Sequence, residues 1–595
     1  MMLSVGGIRK NLLFIVSIQL LSFAGHSFGQ NTKDLSNRGL TTLTEELFSR
    51  NFQVQKLNLN ENKLIELHQS VFASLNLLEE LTISNNKLIT IRENVFENLD
   101  KLWKLDLSQN ALFVLPENVF SGQYNVWHLS LQANKLTALP EKLFNNLNAL
   151  GQLDVSQNKI TSLPARIFDQ SLNLEVLNLA NNQLRTLSEG IFINQPKLIE
   201  LNIERNELQS LPESIFFNQM NLQKLWLSHN KIISLPENIF NQSTKLQRLY
   251  LNGNALQSMQ ESIFSSQHDM NWLDLSENNL THLPEKLFNS QMKLEYLFLK
   301  GNRLSMLPSR LFNRLIKLNW LFLNGNELIT LPDGIFNNQV RLKRLDLSQN
   351  QLSNLPEKLF NQVKLWKLDL SRNNQTDLPE KLFQTQQEMR WLYLNNNRLT
   401  LLSPKIFLHT AELQVLKLHE NSLEYLNADM IDSMRSMRQL KTLSLRKNRW
   451  DCDLQFLEFI RFNSQRIDFA NVICRDGESW MQKHDRYAYS IINKPSNNNL
   501  APEWLNPPHL TNEIIRPIDA HSDIAIICPA ECDCLIRMKN TTILFDCSDA
   551  GFKMIPSRLM SGKEKFPLMQ TVQVRSDKSD RISELPSYIF LSVIL

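Results

Sequence analysis

One frame, LxLxxNxL, returns along this chain at a nearly fixed step of 24 residues. Its asparagine stands at positions 62, 86, 110, 134, 158, 182, 206, 230, 254, 278, 302, 326, 350, 373, 397, 421 and 448. Phenylalanine keeps the same step at 48, 72, 96, 120, 144, 168, 192, 216, 240, 264, 288, 312, 336, 360, 383 and 407, which uses half of the 32 Phe in the sequence. An equal step repeated this often specifies a chain that winds as stacked turns, each too small to bury its own apolar face.

The stretch LDLSQNALFVLPENVF, Leu105 to Phe120, shows the physics of one turn. Leu105 and Leu107 alternate with Lys104, Asp106 and Ser108, the period of two expected of a short strand with one buried face. Asn110 sits where the chain leaves the strand, and its amide can both donate to and accept from backbone groups that lack a ladder partner. Leu112 and Leu115 close the inner wall, Pro116 restricts the backbone, and Phe120 returns to fill the outer part of the coil. Each Phe so buried contributes roughly 1.5 to 3 kcal/mol. A period of 20 to 29 residues on the pattern L-x-x-L-x-L-x-x-N-x-L is the leucine-rich-repeat signature. The expected fold is therefore an α/β solenoid, a leucine-rich-repeat horseshoe with a parallel sheet on its concave face.

With 595 residues, 42% hydrophobic content and a formal charge of +3, the chain has no basic excess pointing to nucleic acid. A solenoid grows by addition, so this length does not demand several cores. All six cysteines, Cys452, Cys474, Cys528, Cys532, Cys534 and Cys547, fall late in the chain and belong to caps rather than turns. Residues 1–29 carry Arg9 and Lys10, the apolar run LLFIVSIQLL from Leu12 to Leu21, and small residues before Gln30. They read as a secretory signal peptide, the run being shorter than the roughly 20 residues of a spanning helix. Export implies an oxidising compartment, so the mature protein is expected to be secreted or on the extracellular side of the plasma membrane.

Residues 30–450 form the repeat array. It opens on a partial turn in which Lys33, Asp34 and Arg38 discourage pairing at the open strand edge. Two irregularities follow: one turn is a residue short between Asn350 and Asn373, and the turn from Asn421 to Asn448 is lengthened by MIDSMRSMRQL. Gln375 also replaces a core leucine. Residues 451–527 read as a C-terminal cap, with Trp450, Cys452, an amphipathic helix through Leu457 and Ile460, and Cys474. An extended connector is expected from about Asp476, because prolines and an NNN tract accumulate before Ile527. Residues 528–560 carry CPAECDC and a later Cys-x-x-x-x-x-x-x-I-P run. Residues 561–595, with Val572, Val574, ISELP and Phe590, read as a second array that has begun and been cut off.

W-x-C at the end of the array resembles a leucine-rich-repeat C-terminal cap, and C-P-x-x-C-x-C with a later Cys resembles an N-terminal cap. A C-cap followed in mid-chain by an N-cap and more repeats resembles the ectodomain of invertebrate Toll-type receptors, with Slit-like secreted guidance proteins the second resemblance. The Toll resemblance implies a non-enzymatic innate-immunity or developmental receptor. Such a receptor binds a protein ligand or microbial product on the solenoid and works by bringing two chains together. The family pattern also implies disulfides Cys528–Cys534 and Cys532–Cys547, and a Cys452–Cys474 link. This chain departs from the pattern in three ways. Leu454 takes the second C-cap cysteine place, the first turns lack a cysteine cap, and no membrane span or cytoplasmic domain follows, as expected of a truncated product or a fragment.

A four-thiolate zinc site on Cys528, Cys532, Cys534 and Cys547 is the alternative to two disulfides. The histidines are scattered, with His128, His229 and His419 each alone on its turn, so neither a catalytic nor a metal constellation is expected. No cofactor motif is present. Asp106, Asp154, Asp274, Asp346 and Asp369 share one column of the open face, as an acidic stripe or a solvated strand face. Early turns place Lys56, Glu80, Lys104, His128 and Gln152 before the first strand leucine. Later turns put Trp272, Tyr296, Trp320 and Trp391 in that column, and Trp226, Tyr250, Phe298, Phe322 and Tyr393 in the column between the leucines. Large rings on a solvent face rimmed by Arg and Lys mark a binding surface; the alternative is rings that stack along the sheet for stability. Exported chains are glycosylated at N-x-S/T, here Asn241, Asn279, Asn374 and Asn540.

Overall fold

The computed structural model describes residues 31–48, 53–462, 467–468 and 472–492, and beyond them three strands at 533–537, 542–546 and 571–575. The first group of residues builds one parallel sheet of nineteen strands. Strand β1 is Thr32–Asp34 and β2 is Lys56–Asn58; β3 (Glu80–Thr82), β4 (Lys104–Asp106) and β5 (His128–Ser130) continue the 24-residue step, which holds to β14 (Arg344–Asp346). The shortened turn then brings β15 at Lys367–Asp369, followed by β16 (Trp391–Tyr393), β17 (Val415–Lys417), β18 (Thr442–Ser444) and β19 (Ile467–Asp468). Register is kept throughout, with Leu81, Leu105 and Leu129 paired in one row. The alternation that sets it is visible in β4, where Leu105 is buried between half-buried Lys104 and Asp106.

Each repeat asparagine ties three neighbouring backbone segments together. Asn110 Oδ1 accepts the Leu88 N–H of the preceding turn at 3.0 Å, and its Nδ2 donates to the carbonyls of Ile83 (2.9 Å), Leu107 (3.1 Å) and Ser108 (3.1 Å). The accepted N–H and the first two of these carbonyls recur from Asn62 to Asn448. One residue earlier the backbone is left-handed, as at Gln109 (φ 54°), Ala133 (φ 54°) and Gly253 (φ 71°). At Gly253 a Cβ would lie 2.4 Å from the His229 ring, which would have to shift to admit a larger residue.

At the outer wall the Phe rings stack turn upon turn, Phe288 to Phe312 at 6.5 Å and Phe312 to Phe336 at 6.3 Å between centroids. A second ladder, not evident from the leucine pattern, runs beside them. Gln123, Gln195, Gln219, Gln267, Gln291 and Gln339 are buried, and each Nε2 donates to the Phe carbonyl of the turn before. Its signal in the sequence is a glutamine three residues after the spine phenylalanine.

The ends are closed differently. On the edge strand β1, Lys33 folds inward: its ammonium lies 5.1 Å from the Phe48 ring centroid and donates to the Leu47 carbonyl at 2.9 Å. Its aliphatic stem thus covers the first turn. At the other end the lengthened segment is helix α1 (Ala428–Ser436), whose N-terminus is capped by Asn427 accepting from Met430 N–H at 2.9 Å. Trp450 is fully buried, donates to the Leu445 carbonyl at 2.7 Å and stacks on Phe456 of helix α2 (Leu454–Phe462) at 4.7 Å. Cys452 and Cys474 form a disulfide with their Cα atoms 5.6 Å apart.

The connector expected from Asp476 does not begin there. Residues Trp480–Ile492 form helix α3, because the prolines that argue for extension all lie at or after Pro495 and this stretch carries none. The three remaining strands, β20 (Asp533–Arg537), β21 (Thr542–Asp546) and β22 (Thr571–Arg575), make a small sheet, β21 pairing antiparallel with β20 and parallel with β22. The signal peptide, the pairing of Cys528, Cys532, Cys534 and Cys547, and Asn540 lie outside the described residues.

Two stability measurements follow from this packing. Asn230 bonds Leu208 N–H and the carbonyls of Ile203, Leu227 and Ser228. Asn230→Ala should therefore cost about 1 to 3 kcal/mol in denaturant unfolding, and Asn241→Ala far less; equal losses would contradict the ladder. Gln375 is 0% exposed where other turns have Leu or Ile, and neither polar atom of its side-chain amide has a partner. Gln375→Leu should raise stability by about 1 to 3 kcal/mol, and a lowered melting temperature would count against this account.

Candidate functional site

Strands β9 (Lys224–Trp226), β10 (Arg248–Tyr250), β11 (Trp272–Asp274), β12 (Tyr296–Phe298) and β13 (Trp320–Phe322) carry most of the aromatic columns. Because parallel register superposes equivalent positions, the rings meet across every strand boundary. Trp226 and Tyr250 stack at 5.5 Å, Tyr250 reaches Trp272 at 5.9 Å, and Trp272 touches both Tyr296 (5.0 Å) and Phe298 (4.8 Å). Tyr296 meets Trp320 edge-on at 5.0 Å, and Phe298 stacks on Phe322 at 5.1 Å. Leu273, Leu275, Leu297, Leu299, Leu321 and Leu323 are buried on the inner side, so these rings lie on the open face.

One sequence expectation needs correction. Trp226 is only 5% exposed, since the Tyr250 ring lies flat against it. It is a footing for the stack rather than part of its surface. Tyr250, Trp272, Tyr296, Phe298, Trp320 and Phe322 remain half-buried. Trp391 and Tyr393, also half-buried, stand apart from this block, with β14 and β15 between.

Cations cover the rings on that later side. The Arg344 guanidinium lies 4.4 Å from the Trp320 centroid, and Tyr393 sits between Lys367 (4.7 Å) and Lys417 (4.9 Å). At the shortened turn, Trp366 lies between Lys343 (5.1 Å) and Arg390 (5.3 Å), while Glu388 accepts from Trp366 Nε1 at 3.1 Å and pairs with Lys343 at 2.9 Å. This cluster escaped sequence reasoning, although the 23-residue interval marked its turn.

The acidic column is not a stripe of free carboxylates. Asp346 and Asp369 are register partners on β14 and β15. Each accepts from its own turn's serine, Ser348 N (3.0 Å) and Oγ (2.7 Å), Ser371 N (3.0 Å) and Oγ (2.6 Å). Burial, and then the neighbouring Asp346, push Asp369 up to about 6, against its serine bonds and Lys367. Burial also raises Asp154 and lowers His128, which meets Gln152 at 3.1 Å. Among the described residues no cluster of His, Cys, Asp or Glu could hold a metal ion.

The sequon residues Asn279 and Asn374 each follow a buried ladder asparagine and are themselves half-buried; Asn241 is half-buried beside Phe240, its amide donating to Asn238 at 2.9 Å. Among the described residues none of the three lies in a strand.

A pH dependence follows from Asp369. Its carboxyl holds a proton more tightly folded than unfolded, so its contribution is most favourable below about 3.8 and is lost as pH rises through about 6. Asp369→Asn should be more stable than the parent above pH 7, by on the order of 1 to 3 kcal/mol, with the two converging near pH 4. Melting curves that stay parallel across this range would exclude the effect.

Leucine-rich-repeat family models match residues 34–88, 52–112, 244–304, 268–328, 316–375 and 387–449, and a BspA-type leucine-rich-repeat model matches 114–247. No curated protein sequence matches. Among solved structures, a Leptospira interrogans leucine-rich-repeat protein is 27% identical with a TM-score of 0.56, over 74% of this chain and 96% of that one. Toll in the Drosophila Toll–Spatzle complex is 21% identical with a TM-score of 0.56, over 86% and 75%. A plant peptide hormone receptor, RGFR1 bound to RGF2, is 22% identical with a TM-score of 0.52, over 73% and 77%. The repeats, the asparagine ladder and these matches agree: the chain belongs to the leucine-rich-repeat proteins.

Proposed function

We propose that the solenoid is the ligand-binding part of a Toll-type extracellular receptor, docking a secreted protein or a microbial product on the open face of its sheet. The observation that carries this reading is the unbroken run of half-buried rings from Tyr250 to Phe322. Ring stacking alone would account for their order, but not for six large aromatics left partly in water on a face whose early turns are polar. Aromatic anchors of this kind dominate protein interfaces. The described residues contain no helix long and apolar enough to cross a membrane. Support for the Toll assignment comes from the order of the two caps in the sequence and from the fold shared with Toll. A secreted Slit-like protein also strings capped arrays together, and the transcript beyond Leu595 distinguishes the two by a spanning helix with an intracellular domain or by further capped arrays.

Proteins cross-linked to the secreted chain in extracellular fluid can be identified by mass spectrometry and titrated against variants. Trp320→Ala should weaken binding by about 2 kcal/mol or more while melting close to the parent, and Lys104→Ala should change neither. If Trp320→Ala melted early yet bound normally once folded, the rings would be packing and the contact surface would lie elsewhere.

A further inference from the structure

Between Glu295 and Glu327 the chain has no carboxylate but five cations, Lys300, Arg303, Arg310, Arg314 and Lys317. Elsewhere the turns mostly read LPE; here Ser309 and Arg310 follow the proline. On the edge of the solenoid that leads into the strands, this turn and its neighbours form a strip of two columns. The first is apolar and exposed: Met292 (50%), Ile316 (49%) and Val340 (58%) occupy equivalent places on three successive turns. The second is the next residue of each turn, Lys293, Lys317 and Arg341, all exposed. Lys293 pairs with Asp269 at 2.5 Å. Lys317, Arg341 and the adjacent Arg314 have no ion-pair partner among the described residues, while cations on nearby turns, Lys343 and Lys224 among them, do.

Exposed apolar residues hold the same place on other turns, Tyr124, Leu172 and Met220, each followed by asparagine; an exposed apolar residue followed by a cation on three successive turns occurs in this strip. A solvated edge needs the charges but not the apolar neighbours, which lose free energy in water unless covered. Turn-to-turn spacing at the adjacent Phe spine is 6.5 and 6.3 Å. Alternate residues of an extended strand lie roughly 6.6 to 6.8 Å apart, so an extended chain running along the solenoid can meet one turn with every second side chain.

We infer that this edge, formed by Met292, Ile316 and Val340 with Lys293, Lys317 and Arg341, docks an extended acidic segment of a protein partner that alternates carboxylates with apolar side chains. The surface is separate from the ring face and does not depend on it. An acidic protein segment is favoured over an anionic membrane because the cations lie in a single row, one to a turn, whereas a lipid surface needs a broad basic face.

The test uses the full chain and a fluorescein-labelled eight-residue peptide of alternating Glu and Leu, read by anisotropy at low salt. Binding is expected, with at least a tenfold loss in the double variant Lys317→Glu/Arg341→Glu and in Ile316→Asp, no binding of the Lys/Leu peptide, and unchanged binding in Trp320→Ala. Lys358→Glu, an exposed charge reversal on the outer wall, controls for net charge, and circular dichroism confirms that each variant is folded. The inference is overturned if the peptide fails to bind, if Lys358→Glu loses as much as the double variant, or if vesicles containing phosphatidylserine bind while the peptide does not. Loss on Trp320→Ala alone would instead move the acidic segment to the ring face and likewise overturn this assignment.

Discussion

Every turn of this solenoid leaves backbone groups that only its neighbours can satisfy. The asparagine amide is the device that closes this account: Asn110 accepts from the turn before it and donates both there and within its own turn. A buried backbone group without a partner costs about 1 to 3 kcal/mol, and one such residue per turn removes several of these deficits at once. The sheet on one side and the glutamine bonds to Phe carbonyls on the other work in the same way, between turns rather than within them. Stability is therefore a property of contiguous turns. This dependence explains why the ends need special covers, Lys33 over Phe48 at one and Trp450 with the Cys452–Cys474 link at the other.

The solenoid was legible from sequence because its forces have the periods of the sequence. Leucine alternation gives strands, the asparagine interval gives the turn, and the phenylalanine interval gives the outer wall. Features that depend on contact between turns were harder to read. The glutamine ladder repeats at the same step, but glutamine is a common surface residue and its burial shows only when the Phe carbonyls are placed. Helices α1 and α3 lie where the repeat is broken, so no interval announces them, and a proline tract beginning at Pro495 lent an extended character to residues that have no proline. The columns of the ring face could be assigned correctly by arithmetic. Which rings keep a surface could not, since that depends on Tyr250 lying flat on Trp226.

Regularity also sets what substitutions the array absorbs. The left-handed residue before each asparagine is mostly not glycine, though such a conformation costs a residue with a Cβ roughly 1 to 2 kcal/mol. Turns tolerate this because the N–H of that residue bonds the next turn, as Gln109 does to Gln132 at 2.8 Å. Of the three glycines at this place, Gly253 lies where a Cβ would stand 2.4 Å from the His229 ring, whereas a Cβ at Gly325 would make only ordinary contacts.

The same stacking that orders the rings decides what they can offer a partner. Between β9 and β13 the rings pack on one another, stacked at Trp226–Tyr250 and Phe298–Phe322, tilted around Trp272 and edge-on at Tyr296–Trp320, so an incoming molecule meets the parts of Tyr296, Phe298, Trp320 and Phe322 that this packing leaves in water. The cations begin where Arg344 of β14 lies over Trp320 and continue with Lys367 and Lys417 over Tyr393, so the surface changes from apolar to cationic within two strands. Asp346 and Asp369 lie at this boundary, pinned by their serines, and soften the positive field without presenting free carboxylates. A ligand spanning both zones must therefore bury apolar side chains on one and compensate cations on the other. That requirement selects for composition along the ligand as well as for its shape, because contacts made with only one zone would forfeit either the aromatic anchors or the charge complementarity.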